Sequence, residues 1–196
     1  MRRRLESLGL RATRSVLKIL ANGAFRSSRT RYPLRKEKQE MKSLKFGIIG
    51  TGMISGLFTE AVREVSGVSV STVLSRKRET GEDFVRRNYS DRSSVPEVVT
   101  EIKDLFSSDV NAIYVASPNR FHAETAIGAM RAGYDVLCEK PIASDLKEYD
   151  EMLSVSEKTG KVLLEAMRPS FDPAYEKVKR AIKTLGRLRH ATFEYC

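Results

Sequence analysis

The sequence predicts a doubly wound α/β fold, in which helices cover both faces of a parallel sheet. Short apolar runs alternate along the chain with longer segments in which apolar residues recur at helical spacing. Strands that are apolar along most of their length indicate a parallel sheet that is buried on both faces. A glycine-rich turn follows the first apolar run directly and leads into a helical segment, which is how a β-α-β unit begins.

The predicted elements follow one another in a regular order. The first strand ends with the run 46–49, and Phe58, Ala61 and Val62 mark the helix after it by their spacing. Five further strands are predicted at 68–74, 96–99, 112–116, 134–138 and 161–165. Four further helices lie between these strands, at 79–88, 101–107, 121–132 and 144–159. Pro96 interrupts the pattern of the third strand.

Residues at the helix ends support these boundaries. Gly133 and Gly160 each follow a helical segment, where a glycine can adopt the left-handed conformation that ends a helix. Asp145 stands where an N-cap side chain would accept a backbone hydrogen bond. The sequence therefore predicts sharp ends for the helices on the second half of the sheet.

The C-terminal residues predict the beginning of a second domain. A helix is expected at 173–185, ending at Gly186, and His190 to Cys196 has the pattern of a strand that is cut short. An isolated strand cannot form a sheet by itself. The chain therefore divides into three parts: a basic extension at 1–43, the doubly wound domain at 44–167 and the truncated start of an α+β domain at 168–196.

Composition and charge exclude several classes of protein. Of the 196 residues, 41% are hydrophobic and 31% charged, as in folded globular proteins. The net charge of +10 is concentrated in residues 1–40, which contain twelve Lys or Arg and three Glu. We therefore expect no nucleic-acid surface on the main body. The two cysteines and two histidines lack metal-ligand spacing, and no apolar run is long enough to cross a membrane.

The extension at 1–43 has two principal interpretations. On a helical projection its apolar residues and its arginines fall on opposite faces, as in an organelle transit peptide. The interpretation that we favour is an upstream stretch without function, with Met41 as the start of the protein. An arm that binds phosphate backbones is a third possibility, but it rests on charge alone. We expect a cytoplasmic protein, with organelle targeting as the alternative.

The glycine turn after the first strand indicates a dinucleotide site. The segment 50–55 reads GTGMIS and opens a helix, which is the context that a Rossmann-type fingerprint requires. The first glycine permits the tight turn, and the second lets the backbone approach a pyrophosphate at the helix N-terminus. Ser55 replaces the usual third Gly or Ala but is small enough for close packing. The predicted cofactor contacts here are Gly50, Thr51, Gly52, Met53 and Ile54.

The end of the second strand indicates which dinucleotide binds. An acidic residue at this position would accept hydrogen bonds from the ribose hydroxyls of NAD. Leu74 is followed instead by Ser75, Arg76 and Lys77, which could pair with the 2′-phosphate of NADP. We expect NADP as the preferred cofactor, with NAD still possible because Glu79 is near.

Two further segments leave the carboxyl ends of predicted strands, where ligands of open α/β sheets bind. Ser117, Asn119 and His122 follow the fourth strand, and the last two could either face the cofactor or cap the next helix. Glu139, Lys140 and Pro141 follow the fifth strand. The ammonium group of Lys140 could polarise a substrate oxygen or pass a proton during hydride transfer. Pro141 ends the strand, with a preceding peptide bond that can be cis.

These three motifs, taken in order, resemble those of the Gfo/Idh/MocA oxidoreductases. That family has a glycine turn, a Pro-Asn…His segment after the fourth strand and Glu-Lys-Pro after the fifth. The resemblance covers residues 45–196, because 163–174 is similar to the family's link to its substrate domain. The family's aromatic-Arg-Phe-His-Pro pattern is only loosely present there.

The resemblance implies reversible hydride transfer between a nicotinamide and a hydroxyl or carbonyl carbon, usually of a sugar or polyol. It implies that Lys140 is the acid/base or polarising group, supported by Glu139 and directed by Pro141. It also implies that Arg168 approaches the nicotinamide end of the cofactor. The family's Asp and His on a helix of the second domain have no counterpart in this chain.

These expectations leave two functions open. An NADP-preferring oxidoreductase is favoured by Glu139-Lys140-Pro141. A non-catalytic nucleotide-binding or regulatory protein is favoured by the missing second sheet. A methyltransferase would require an acidic residue after the second strand, and Ser75-Arg76-Lys77 offers none. We expect the chain alone to bind dinucleotide but to turn over substrate poorly. Homo-oligomers are expected only with the second domain present.

Overall fold

A computed structural model of the protein describes residues 43–90, 94–167 and 172–192. The extension up to residue 42 and the predicted contact residue Arg168 lie outside the described residues. The described part begins just before the first predicted strand and includes every predicted strand of the main sheet.

The central feature is a six-stranded sheet in the order β3-β2-β1-β4-β5-β6, with every neighbouring pair parallel. Its strands are β1 (Leu44–Ile49), β2 (Val68–Leu74), β3 (Glu97–Val99), β4 (Ala112–Val115), β5 (Asp135–Cys138) and β6 (Leu163–Glu165). The order runs outward from β1 in one direction and from β4 in the other. A crevice therefore opens between β1 and β4 at the strand carboxyl ends, where doubly wound folds bind nucleotides. The predicted fold class is confirmed.

Helices connect the strands and cover both faces. They are α1 (Met53–Val62), α2 (Arg78–Tyr89), α3 (Ile102–Ser107), α4 (His122–Arg131) and α5 (Leu146–Thr159). Every predicted helix and strand of the sheet domain is present, with boundaries shifted by at most two residues. The largest strand shift is in β6, which begins at Leu163 instead of 161 because Lys161 and Val162 lie in the connection before it, outside the strand.

The core consists of two apolar layers separated by the sheet. Phe46, Ile48 and Tyr114 point to the layer beneath α1 and α2. Ile49 and Val115 point to the opposite layer, which packs against α3, α4 and α5. Because successive strand residues alternate between faces, the apolar run of each strand contributes side chains to both layers. This explains why the strands are apolar along most of their length.

The helix ends follow the sequence signals. The Asp145 carboxylate accepts a hydrogen bond from Glu148 N at 2.8 Å and caps α5, as predicted. Gly160 ends the same helix in the left-handed region, at φ 66°. Gly133 also has a positive φ, 97°, in the turn between α4 and β5. The left-handed turns explain the sharp transition from each helix into the next strand.

The C-terminal segment differs from the prediction in two respects. The helix α6 spans Pro173–Ile182 and is capped by Asp172, but it ends three residues before the expected end at 185. The following residues form turns up to Gly186. Residues His190–Thr192 are not in a strand, and residues 193–196 lie outside the described part of the chain. The strand prediction was wrong for His190–Thr192 because a strand needs a pairing partner, and the described residues supply none.

Candidate functional site

The six strands end in register, and this alignment places the predicted site residues along one edge. The last paired residues across the sheet are Val99, Leu74, Ile49, Val115, Cys138 and Glu165. Above this line, five backbone amides donate to the neighbouring strand's last carbonyl at 2.7–3.3 Å. We call these five residues the rim row: Ser75, Gly50, Ala116, Glu139 and Ala166. Four of the loops that leave the rim row contain described residues singled out from the sequence, and the fifth leads to Arg168, which lies outside the described residues.

The first glycine of the turn is required by both conformation and space. Gly50 has a φ of 109°, which side chains of L residues rarely adopt. A Cβ added there would lie 2.4 Å from the carbonyl oxygen of Ala116 and 3.2 Å from Ser117 N. The glycine therefore allows the turn after β1 to pack directly against the end of β4. This close approach forms one wall of the crevice between the two strands.

The second glycine lies in open space. A Cβ added at Gly52 would meet no atom within 4 Å, and the adjacent side chain of Met53 is 80% exposed. Gly52 occupies the N-cap of α1, but no side chain caps the helix. The amides of the first helical turn are thus available for an anion, and the helix dipole favours negative charge there. This is the environment that a pyrophosphate requires.

Two serine hydroxyls near this turn are buried without a hydrogen-bond partner among the described residues. They are Oγ of Ser55, in the first turn of α1, and Oγ of Ser117, beside Gly50. A buried polar group without a partner is costly, so such groups commonly bind a ligand or an ordered water. The open space at Gly52 and the free hydroxyl of Ser117 fit a dinucleotide in the crevice.

The turn after β2 leaves the guanidinium group of Arg76 exposed at the carboxyl-end edge of the sheet. Ser75 is buried, and its hydroxyl donates to Lys77 O at 2.9 Å, so it shapes the turn. Arg78 is anchored through Nη1, which donates to Val98 O at 3.0 Å. Arg76 is exposed and makes no hydrogen bond or ion pair with another described residue. Its guanidinium is therefore available to an anionic ligand.

The loop after β4 buries His122 and leaves Asn119 exposed. Phe121 occupies the N-cap of α4, so neither Asn119 nor His122 caps that helix. His122 is 1% exposed, and its two ring nitrogens contact backbone carbonyl oxygens. Nδ1 lies 2.8 Å from Pro141 O and Nε2 lies 2.8 Å from Ser117 O. The ring thus joins the loop after β4 to the loop after β5.

The loop after β5 has a fixed backbone and an exposed lysine. We call residues 139–142 the Lys140 loop. Glu139 is buried; its Oε1 accepts from Tyr114 Oη at 2.7 Å, and its Oε2 accepts from Lys140 N at 3.3 Å. Ile142 N donates to Glu165 Oε1 at 3.0 Å. The Lys140–Pro141 peptide bond is cis, and the Lys140 side chain is exposed.

Tyr114 and Glu165 were not identified from the sequence as site residues. Tyr114 stacks on Phe58 with ring centroids 3.8 Å apart and carries its hydroxyl to Glu139. Glu165 ends β6 and reaches the neighbouring loop. The available signal was a polar or charged group at or next to the last residue of an otherwise apolar strand. Such groups need a partner when they are buried, and here both partners lie in the Lys140 loop.

The thiol of Cys138 lies beneath the Lys140 loop and is fully buried. Burial, together with the smaller contribution of the negative charges of Glu139 and Glu165, raises its pKa from 9.0 to about 12. The thiolate is the nucleophilic form of cysteine, and it is suppressed here. Cys138 is therefore a packing residue. Within the described residues, no group of three or more His, Cys, Asp or Glu could hold a metal ion.

The sequence of the sheet domain matches a known protein family. Residues 44–167 match the Gfo/Idh/MocA model, described as an oxidoreductase family with an NAD-binding Rossmann fold. This chain belongs to the Gfo/Idh/MocA family. The family assignment agrees with the strand order, the glycine turn and the position of the Lys140 loop on the rim row. Among the described residues, no helix is long and apolar enough to cross a membrane.

Curated dehydrogenases and reductases are similar to more than half of this chain. The NADP-dependent scyllo-inositol 2-dehydrogenase of Bacillus subtilis is 34% identical over 154 residues, which are 78% of this chain and 45% of that protein. The 1,5-anhydro-D-fructose reductase of Ensifer adhaerens is 32% identical over 61% of this chain and 34% of that protein. The chain thus spans less than half the length of these relatives.

Solved structures show the same architecture. A 3-ketoreductase from Actinomadura kijaniata, in complex with NADP and TDP-benzene, superposes with a TM-score of 0.65 and 26% sequence identity. The superposition covers 72% of this chain and 42% of that protein. A dehydrogenase from Chromobacterium violaceum in complex with NADH and UDP-GlcNAcA gives a TM-score of 0.64 at 19% identity, which supports the fold alone.

Proposed function

We propose that residues 44–167 form the dinucleotide-binding domain of an oxidoreductase that prefers NADP to NAD, and that residues 168–196 begin its substrate domain. The observation that carries the proposal is the rim row, because it gathers four predicted segments at the crevice between β1 and β4. A dinucleotide lying across this crevice would meet the glycine turn, Arg76 and the Lys140 loop in one orientation.

The phosphate groups are bound mainly by backbone in this proposal. Gly50 and Thr51 form the turn, while Gly52, Met53 and Ile54 present the uncapped start of α1 to the pyrophosphate. Arg76 pairs with the 2′-phosphate, because its guanidinium is exposed and has no partner among the described residues. NAD is the alternative cofactor, since Glu79 lies in the first turn of α2.

The reaction end is proposed to use the loops after β4 and β5. The bound cofactor supplies or accepts a hydride at its nicotinamide ring. Lys140 donates a hydrogen bond to the substrate oxygen and moves the proton that accompanies the hydride. Glu139 holds the Lys140 backbone, and Ser117, Asn119 and Arg168 contribute to binding the nicotinamide end. Pro141 fixes the direction in which the loop leaves β5.

The proposed substrate class is a sugar- or polyol-like molecule whose hydroxyl is oxidised or whose carbonyl is reduced. It is supported by the names of two relatives that are more than 30% identical, a scyllo-inositol dehydrogenase and an anhydrofructose reductase. Because the chain spans less than half of these relatives, we propose that it binds cofactor but turns over substrate poorly without the remaining part of the substrate domain.

The decisive experiment is a fluorescence titration of the full chain with NADPH and NADH. We expect both to bind, with NADPH at least tenfold tighter, because the 2′-phosphate gains a charge-assisted contact with Arg76. Equal affinities would contradict the NADP preference while leaving the dinucleotide site intact. Absence of binding to either cofactor would contradict the proposed function.

A non-catalytic nucleotide-binding protein is the second candidate. It is favoured by the exposure of Lys140, because the described residues do not enclose a substrate at its ammonium group. Reduction of NADP⁺ in the presence of sugars and polyols, followed at the absorbance of NADPH, separates the two functions. Turnover that is slow but is abolished by Lys140→Met supports the enzyme, whereas tight cofactor binding with no detectable turnover of any tested substrate supports the second candidate.

A further inference from the structure

His122 joins the two loops that carry the reaction end of the proposed site. Its ring contacts Ser117 O on one side and Pro141 O on the other, both at 2.8 Å. Pro141 directly follows Lys140, and Ser117 adjoins the glycine turn. The imidazole therefore lies between the loop that carries Ser117 and the loop that carries Lys140.

The hydrogen-bonding chemistry of imidazole allows the two contacts of His122 to restrict the positions of both loops. Backbone carbonyls only accept hydrogen bonds, so the ring must be the donor. A neutral ring donates to one carbonyl, and a protonated ring donates to both. At 1% exposure, no bulk water replaces a contact that is lost. In either form the ring donates to at least one carbonyl and contacts the other at the same distance, 2.8 Å, so the ring sets the spacing of the two loops.

The Lys140 loop has other anchors, but they serve a different purpose. Glu139 is tied to Tyr114 inside β4, and Ile142 N is tied to Glu165 at the end of β6. These bonds attach the loop to the sheet. Among the hydrogen bonds of the described residues, the contacts of His122 connect the Lys140 loop to the loop that carries Ser117.

We propose that His122 is a positioning residue, which does not contact the cofactor but sets the distance between the Ser117 loop and the Lys140 loop. This inference rests on the proposed function, because it assigns the two loops to the nicotinamide end. It replaces direct cofactor contact, one of the two roles expected for His122 from its sequence position, with an indirect one. Loss of the ring should disturb the nicotinamide end and leave the adenosine end unchanged.

The test compares two ligands on the full chain: NADPH, and adenosine 2′,5′-bisphosphate, which lacks the nicotinamide half. His122→Phe keeps a ring of similar size but donates no hydrogen bond. We expect it to weaken NADPH about tenfold, the factor that corresponds to a free-energy loss of about 1.4 kcal/mol. The affinity for adenosine 2′,5′-bisphosphate should change by less than about twofold. Arg76→Ala is the matched control, which should weaken both ligands.

His122→Gln is the second variant, because its side-chain amide donates hydrogen bonds without a ring. It should recover most of the NADPH affinity that His122→Phe loses, and it keeps the test usable if the phenylalanine variant folds poorly. Equal weakening of both ligands by His122→Phe, or no change in either, would overturn the positioning role. If the unmodified chain binds neither ligand, the proposed function itself fails, which is a distinguishable result.

Discussion

The two halves of the crevice differ in whether their polar groups are left free or are hydrogen-bonded within the fold. On the β1–β2 side, the start of α1 is uncapped, Gly52 faces open space and Arg76 is exposed. On the β4–β5 side, buried side chains link the loops through Glu139 and His122. A phosphate can be bound by amides that the fold leaves free, whereas a reacting group needs a fixed position. The open half therefore suits a phosphate ligand, and the closed half suits a group that must be preorganised.

The largest expected effect is a loss of stability from a change at Gly50, where the open half packs tightly against the end of β4. Gly50→Ala places a methyl group 2.4 Å from Ala116 O and forces alanine into a φ of 109°. We expect the free energy of unfolding to fall by about 3 kcal/mol or more, since the backbone of β4 cannot yield cheaply. Urea unfolding followed by circular dichroism measures this loss. Unchanged stability would show that the turn is not packed against β4.

Gly52→Ala should separate binding from stability. The added methyl group meets no atom within 4 Å, so the free energy of unfolding should change by less than about 1 kcal/mol. NADPH affinity should nevertheless fall by about thirtyfold or more, because the methyl group occupies the space through which a pyrophosphate approaches the backbone. Fluorescence titration and urea unfolding on the same preparation check both parts. Undiminished affinity would place the phosphates elsewhere.

Arg76→Ala tests the selectivity of the open half. Removal of an exposed charge partner of a phosphate should weaken NADPH about tenfold and leave NADH unchanged. Lys158→Ala is the matched control, because it removes one exposed cation near the C-terminal end of α5, away from the rim row. The measurement is the ratio of the two affinities at fixed ionic strength. A parallel loss for both cofactors would argue against the 2′-phosphate contact.

The smallest expected effect is a loss of stability at high pH, which is caused by the buried thiol of Cys138 in the closed half. The pKa of Cys138 rises from 9.0 to about 12 on folding, so the unfolded chain loses this proton first as the pH increases. The stabilisation is complete below pH 9 and is lost as the pH rises toward 12. At pH 10, the wild-type chain should therefore lose about 1.4 kcal/mol more stability than Cys138→Ala does, relative to pH 8.

Urea unfolding of both chains at the two pH values gives this difference directly, because the titration of lysines and tyrosines is common to both. A difference that stays constant from pH 8 to pH 10 would mean that water reaches the thiol. The floor of the Lys140 loop would then be less closed than its hydrogen bonds indicate.

The sequence predicted the fold because its signals are local. Apolar strands, the glycine turn and the Asp145 cap each depend on residues that are close in the chain. The His190–Thr192 strand could not be predicted correctly, because a strand depends on a partner that the described residues do not supply. Local signals thus fixed the element order, and the missing tertiary partner accounts for the error.

The sequence placed the predicted site residues at strand ends, but it did not show the hydrogen bonds that join the loops there. The motifs placed Gly50, Arg76 and Lys140 at strand ends, and the rim row brings those ends together. No sequence pattern showed that His122 would contact two backbone carbonyls, since those contacts join residues 5 and 19 positions away through the fold. The bond between Tyr114 and Glu139 is hidden for the same reason.

The rim row also determines where this architecture tolerates changes in length. A residue inserted within a strand would shift the pairing by one and turn each later side chain to the opposite face, exchanging the two core layers. A residue inserted beyond the row only lengthens a loop, and the entropic cost of a longer loop grows slowly. Insertions and deletions during the divergence of such proteins should therefore accumulate above the row, where they reshape ligand contacts while the sheet stays intact.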